Sequence, residues 1–139
     1  MKKEALTDAV KHPSHYTAHP SGIECHEITG LLGGNLSNVV KYVWRYDQKG
    51  KPIEDLKKAL QYLEFEKKDF EEHGSQAIDK RVRVAVAKIG KVMKFEKKDK
   101  FKRRIFHRIE SFLINNSIRL EHLEAVIVDK IKELENENN

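Results

Sequence analysis

The chain has 139 residues, with 27 Lys and Arg against 22 Asp and Glu for a formal charge of +5, a length that makes one domain or two small ones and suffices for a core without staples. Cys25 is the only cysteine, which excludes an internal disulfide and a cysteine-rich zinc site. No apolar run approaches the roughly 18–20 residues of a membrane span, and Met1–Val10 lacks the apolar region of a signal peptide, so the expectation is a cytoplasmic protein with no membrane partner.

Met1–Val10 is short and charged. The stretch from Lys11 to Pro20 is bounded by Pro13 and Pro20, which push the residues before them toward extended conformations, and it reads as an ordered loop. A short helix is expected over Glu24–Leu32, ended by Gly33-Gly34. The next helix is the one the chain is organised around. Leu36, Val39, Val40 and Val43 recur at helical spacing and make a buried stripe. Asn38, Lys41, Tyr42 and Arg45 recur on another face, placing an amide, an ammonium, a phenol and a guanidinium within two turns. An anionic, base-bearing ligand needs such a set; a plain solvated helix face has the same spacing. Asn35 or Ser37 is the expected cap, and the helix should stop before Gly50.

Pro52 suits the first turn of a long helix, as do Glu54 and Asp55 through the helix dipole. Its stripe is Leu56, Ala59, Leu60, Leu63 and Phe70, and it should run to about His73, before a break at Gly74-Ser75. Beyond the break, Lys80 to Arg108 is strongly basic. Ile78, Val82, Ala85, Ile89 and Val92 fit a helix, although the alternation over Arg81–Val86 also fits a strand. Phe101, Ile105, Ile109, Phe112 and Leu113 make a further helix, ended near Asn115-Asn116. Ser117 can cap a last one carrying Leu120, Leu123, Ile127, Ile131 and Leu134, with Glu135–Asn139 as a polar tail. The fold class is all-α: a helical domain over 1–74 with its ordered loop, and a basic helical segment over 75–139 that assembles a homo-oligomer or covers a site.

The loop and Cys25-His26 hold four of the seven histidines. A Pro-bounded loop supplies neither the turn nor the helix spacing of zinc sites, so no metal is assigned. His15 and Tyr16 instead offer a phosphate donor and a stacking face, with His12 and Ser14 as secondary candidates. Phosphate loops and dinucleotide fingerprints are missing, and no catalytic residue or cofactor is assigned. Glu24, Glu27 and Asp55 are open between dipole partners and Mg²⁺ ligands. The basic segment reads as a solvated face, so nucleic acid is not the expected partner, and nucleic-acid binding stays the lowest of the alternatives.

Pro13-Ser14-His15-Tyr16, Gly22-Ile23-Glu24 with Glu27-Ile28, Asn38-Val39-Val40-Lys41-Tyr42 with Arg45, and Ile53-Glu54-Asp55-Leu56-Lys57-Lys58-Ala59 with Tyr62-Leu63 occur in that order. Over roughly His12 to Phe70 the chain resembles a family of small tailed-phage proteins. The family's best-described member is the nucleotide kinase of short-tailed coliphages, which phosphorylates deoxynucleoside monophosphates without a phosphate loop; the likeness is to the C-terminal part of that enzyme. The resemblance implies a nucleotide ligand. It leaves two activities open: a nucleoside monophosphate kinase, or an anti-CBASS sponge that holds a cyclic GMP–AMP-type signal unaltered in the host cytoplasm. A kinase needs donor and acceptor held in line, and residues for only one nucleotide can be named, which favours the sponge. On this reading His15 and Tyr16 take the base or a phosphate edge, Asn38 a polar edge, and Lys41 and Arg45 the phosphate. Tyr42 contributes its ring, and Trp44 and Lys49 are secondary. Arg45→Ala is then expected to abolish binding and leave thermal stability nearly intact.

Overall fold

A computed structural model of the chain describes residues 19–74, 79–115 and 120–138. They form helices alone: α1 (Cys25–Thr29), α2 (Gly34–Arg45), α3 (Pro52–His73), α4 (Lys80–Phe95), α5 (Lys100–Asn115) and α6 (Leu120–Glu137). No helix among them is long and apolar enough to cross a membrane.

α1 is shorter than the expected Glu24–Leu32: after Thr29 the backbone goes over to tighter turns, Leu31 N donating to Ile28 O (3.0 Å) and Leu32 N to Thr29 O (3.3 Å), and side chains from elsewhere take carbonyls at and beyond its end. Ser37 Oγ donates to Thr29 O (2.6 Å) and Leu32 O (3.1 Å), and Arg81 Nη2 donates to Gly30 O (2.6 Å). Such groups otherwise lack partners at a helix end. The expected side-chain cap of α2 is therefore corrected: Gly33 occupies the cap position in extended conformation, and Ser37 points back to α1.

Gly50 turns the chain after α2 in the left-handed region, at φ 74°, where a β-carbon would be strained. Pro52 then opens α3, which ends at His73 as expected. Arg45 near this turn meets Asp55, so α2 and α3 run antiparallel side by side. The segment over Arg81–Val86 is helical, because Val82, Ala85, Ile89 and Val92 all turn inward at helical spacing. α6 continues through Glu137, three residues into the expected tail. The expectations placed on Ser75, Ile78, Asn116 and Ser117 lie outside the described residues.

All six helices contribute to one apolar cluster, in which Ile28, Val39, Val40, Val43, Leu56, Leu63, Ile89, Ile105, Ile109, Leu123 and Ile127 are fully buried. Residues on both sides of Gly74 thus share a core. Polar ties reinforce it: Lys88 to Glu27 (3.0 Å) joins α4 to α1, and Lys67 to Glu124 (3.0 Å) joins α3 to α6. Burying the Val and Leu stripe of α2 against α3 leaves its Asn38–Arg45 side half-open to solvent.

Candidate functional site

That half-open side is where charge and aromatic surface meet. Three cations surround the Tyr42 ring: Arg45 at 4.8 Å, Lys58 Nζ at 5.6 Å and Lys41 Nζ at 5.8 Å from its centroid. Each such contact is worth about 0.5–1 kcal/mol at an exposed site. Tyr62 of α3 stacks on Tyr42 at 5.9 Å with 15° between planes, and Phe65 meets Tyr62 edge-on at 6.0 Å. Phe65 is 48% exposed, so the aromatic row is open at its far end. Beside Lys58 lies an open groove of about 700 Å³ whose walls include Lys51, Glu54, Lys57 and Gln61.

The three cations differ in how far they are satisfied. Lys41 makes no ion pair among the described residues. Lys58 pairs with Glu54 at 3.4 Å, both side chains being about half exposed; exposed pairs of this kind contribute little, so an arriving anion can displace the carboxylate at small cost. Arg45 is different. Its Nη2 is 3.2 Å from Asp55 Oδ1, and the Asp55 side chain is only 4% exposed. This revises the sequence expectation for Arg45: a guanidinium holding a buried carboxylate is structural, whatever else it contacts.

Asn38, Lys41, Tyr42 and Arg45 do share one face, as their spacing requires. Asn38 spends one amide hydrogen on Gly34 O (3.0 Å). Lys49 is exposed in the turn before Gly50. Trp44 does not join the set: it is 3% exposed and packs against His19 (5.4 Å) and Phe106 (5.7 Å), which makes it a core residue. His12, Ser14, His15 and Tyr16 lie outside the described residues. Sequence reasoning missed Lys58, Tyr62 and Phe65 as site residues, although Lys58 and Tyr62 stand in the motif that carries the family resemblance.

Several other titratable groups are held by burial or by polar partners. His19 Nδ1 accepts from Ser21 N (3.1 Å), which leaves Nε2 to donate to Glu96 Oε1 (3.2 Å). Burial holds the His19 pKa below its ordinary value, with the Glu96 contact opposing. Burial likewise pushes the Cys25 thiol up to about 12. Tyr46 donates to Asp99 Oδ2, and burial followed by that contact raises its phenol well above the usual range. Lys102, 6% exposed, donates to Asp47 Oδ1 (2.8 Å). Glu27 accepts from Glu24 N (2.6 Å) and from Lys88, and these two contacts hold its carboxyl below the usual range. Among the described residues no three His, Cys, Asp or Glu side chains are grouped to hold a metal.

No curated protein and no solved structure matches the chain. Residues 10–64 match a family model described as a protein of unknown function, DUF3310, a span that takes in α1, α2 and the part of α3 bearing Lys58 and Tyr62.

Proposed function

We propose that this chain is a nucleotide-binding protein that sequesters a cyclic dinucleotide of the cyclic GMP–AMP type without transforming it, as a phage would to blunt a host defence signal. The observation that carries the reading is the Tyr42 ring, ringed by Lys41, Arg45 and Lys58 and stacked on Tyr62. Lys41 and Lys58 supply charge for a phosphate, the aromatic row supplies a stacking surface, and the groove beside Lys58 gives the ligand room.

The energetics favour a shared site. Micromolar affinity corresponds to about −8 kcal/mol. Charge-assisted hydrogen bonds contribute about 1.5–3 kcal/mol each, and base stacking about 1–3 kcal/mol per base. Two lysines and one stacked base fall short once association entropy is included. A symmetric homo-oligomer that presents two copies to one ligand with two phosphates and two bases closes the gap.

The test is a thermal-shift series with cyclic dinucleotides and mononucleotides, each ligand being recovered afterwards and identified by chromatography. At a hundredfold excess over Kd, binding stabilises by about 2.7 kcal/mol, a readily measured rise. An intact cyclic dinucleotide with such a rise is the expected result. Diphosphate formed from a monophosphate and a triphosphate would make the protein a nucleoside monophosphate kinase instead, and no shift with any nucleotide would refute nucleotide binding.

A further inference from the structure

A second positive surface lies further along the chain than the Tyr42 row, where α4 turns into α5. Residues 91–104 carry eight Lys and Arg side chains against Glu96 and Asp99, an excess of six charges where the whole chain carries +5. Charge runs of this kind are usually solvated and partly neutralised by neighbours. Here the two carboxylates are turned inward. Glu96, 8% exposed, accepts from His19 and from Asp99 N (3.3 Å), and Asp99 accepts from Tyr46 and caps α5 at Lys102 N (3.1 Å). Lys102 is also drawn in, by Asp47.

The other seven cations remain outside. Lys91 and Lys94 are exposed on the last turns of α4, Lys97 and Lys98 in the turn, and Lys100, Arg103 and Arg104 on the first turns of α5. None makes an ion pair among the described residues. Asp129 and Glu133 of α6 line the same groove as Lys98, Lys100 and Arg104, and Glu133 is already paired with Lys130 at 3.2 Å. Because α4 and α5 fold back on each other, charges from three consecutive segments collect at one end of the helical pair.

We propose that the α4–α5 turn binds the phosphate backbone of nucleic acid. Adjacent cations across a turn match a polymer with regularly spaced phosphates, and Arg103 and Arg104 offer forked donors for phosphate oxygens. Phe95, 37% exposed with Lys94 Nζ 5.9 Å from its ring centre, adds a single stacking face. A lipid surface would call for an apolar face to insert alongside the charge, and Phe95 is the only exposed large hydrophobic side chain among residues 91–104.

The probe is a fluorescein-labelled 20-nucleotide single strand, titrated by anisotropy from 50 to 200 mM salt with the full chain. The triple variant Lys94→Gln/Lys97→Gln/Arg103→Gln removes one cation from each segment. The expected result is salt-dependent binding, weakened at least tenfold at 100 mM in the variant, with the log–log salt slope shallower by about 2 since each phosphate contact contributes about 0.7. A control that removes three cations elsewhere, Lys68→Gln/Lys80→Gln/Lys132→Gln, should retain the wild-type slope. Circular dichroism melts establish that both variants fold. Equal losses in the two triple variants, or no binding of the strand at 50 mM salt, would overturn the proposal. So would binding to phosphatidylserine vesicles, lost in the first variant, without binding to the strand.

Discussion

Replacing Arg45 by Met tests how far the α2–α3 turn depends on its ion pair. The substitution keeps most of the side-chain volume and removes the charge from Asp55 Oδ1, now 3.2 Å away. Among the described residues Asp55 Oδ2 has no hydrogen-bond partner of its own, so the carboxylate relies on Arg45. Removing one partner of a buried pair costs about 3–5 kcal/mol. The Arg45 side chain is 17% exposed, and water can reach part of the space it leaves, which lowers the figure to about 2–3 kcal/mol. For a chain of this size each kcal/mol moves the midpoint by about 3–4 °C, giving a drop of roughly 6–12 °C. Calorimetric melts and urea titrations of the wild type, Arg45→Met and Arg45→Met/Asp55→Leu measure it. The double variant should regain more than half of the loss, because two apolar side chains leave no buried charge. A single variant that melts within 2 °C of the wild type, or a double variant no better than the single, would refute the reasoning.

Three further outcomes follow from the buried His19, Cys25 and Tyr46 side chains. His19 has its folded pKa held below the ordinary 6.5, mainly by burial; its contribution is therefore full above about 6.5 and lost as pH falls through the folded value. Urea midpoints should decline between pH 7 and pH 5 more steeply in the wild type than in His19→Asn, and parallel declines would contradict the burial of a neutral ring. Cys25, with its thiol near 12 and 3% exposed, should stay unmodified by Ellman's reagent at pH 8 in the folded protein and react fully in denaturant; rapid native labelling would mean that α1 opens locally. Tyr46→Phe takes the phenol from Asp99 and should cost about 1–2 kcal/mol in urea titrations, while an unchanged midpoint would show that water replaces the phenol without loss.

Much of the helical layout was readable because each apolar stripe repeats at helical spacing. Val82, Ala85, Ile89 and Val92 keep the helical period longer than the alternation over Arg81–Val86 lasts, and α4 follows that longer period. Trp44 also carried a usable signal. It stands four residues after Val40, at the edge of the buried stripe, and that position outranks its appeal as a stacking ring. Lys102 similarly precedes Ile105 and Phe106 by three and four residues, which places its stem inward.

The polar pairings were not readable. Tyr46 finds Asp99 across 53 positions, and His19 finds Glu96 across 77. No local pattern encodes a partner at that distance. The position of Asp55 in the first turn of α3 leaves it open between a dipole partner and a Mg²⁺ ligand; the guanidinium that makes its burial tolerable comes from α2. The candidate site was half-read for the same reason. The spacing of Asn38, Lys41, Tyr42 and Arg45 placed them on one face of one helix. Lys58, Tyr62 and Phe65 come from the neighbouring helix, and only the antiparallel packing of α2 on α3 brings them to Tyr42.

The most direct test of nucleotide sequestration is isothermal titration of 3′,3′-cyclic GMP–AMP into the wild type and into Lys41→Gln/Tyr42→Leu/Lys58→Gln. These three substitutions strip the exposed charge and the ring and leave the Arg45–Asp55 pair in place. The account predicts micromolar or tighter binding by the wild type, with about one ligand per two chains, and at least a hundredfold loss in a variant that still melts cooperatively. Equal affinity in the two proteins, or no heat of binding in either, would contradict it.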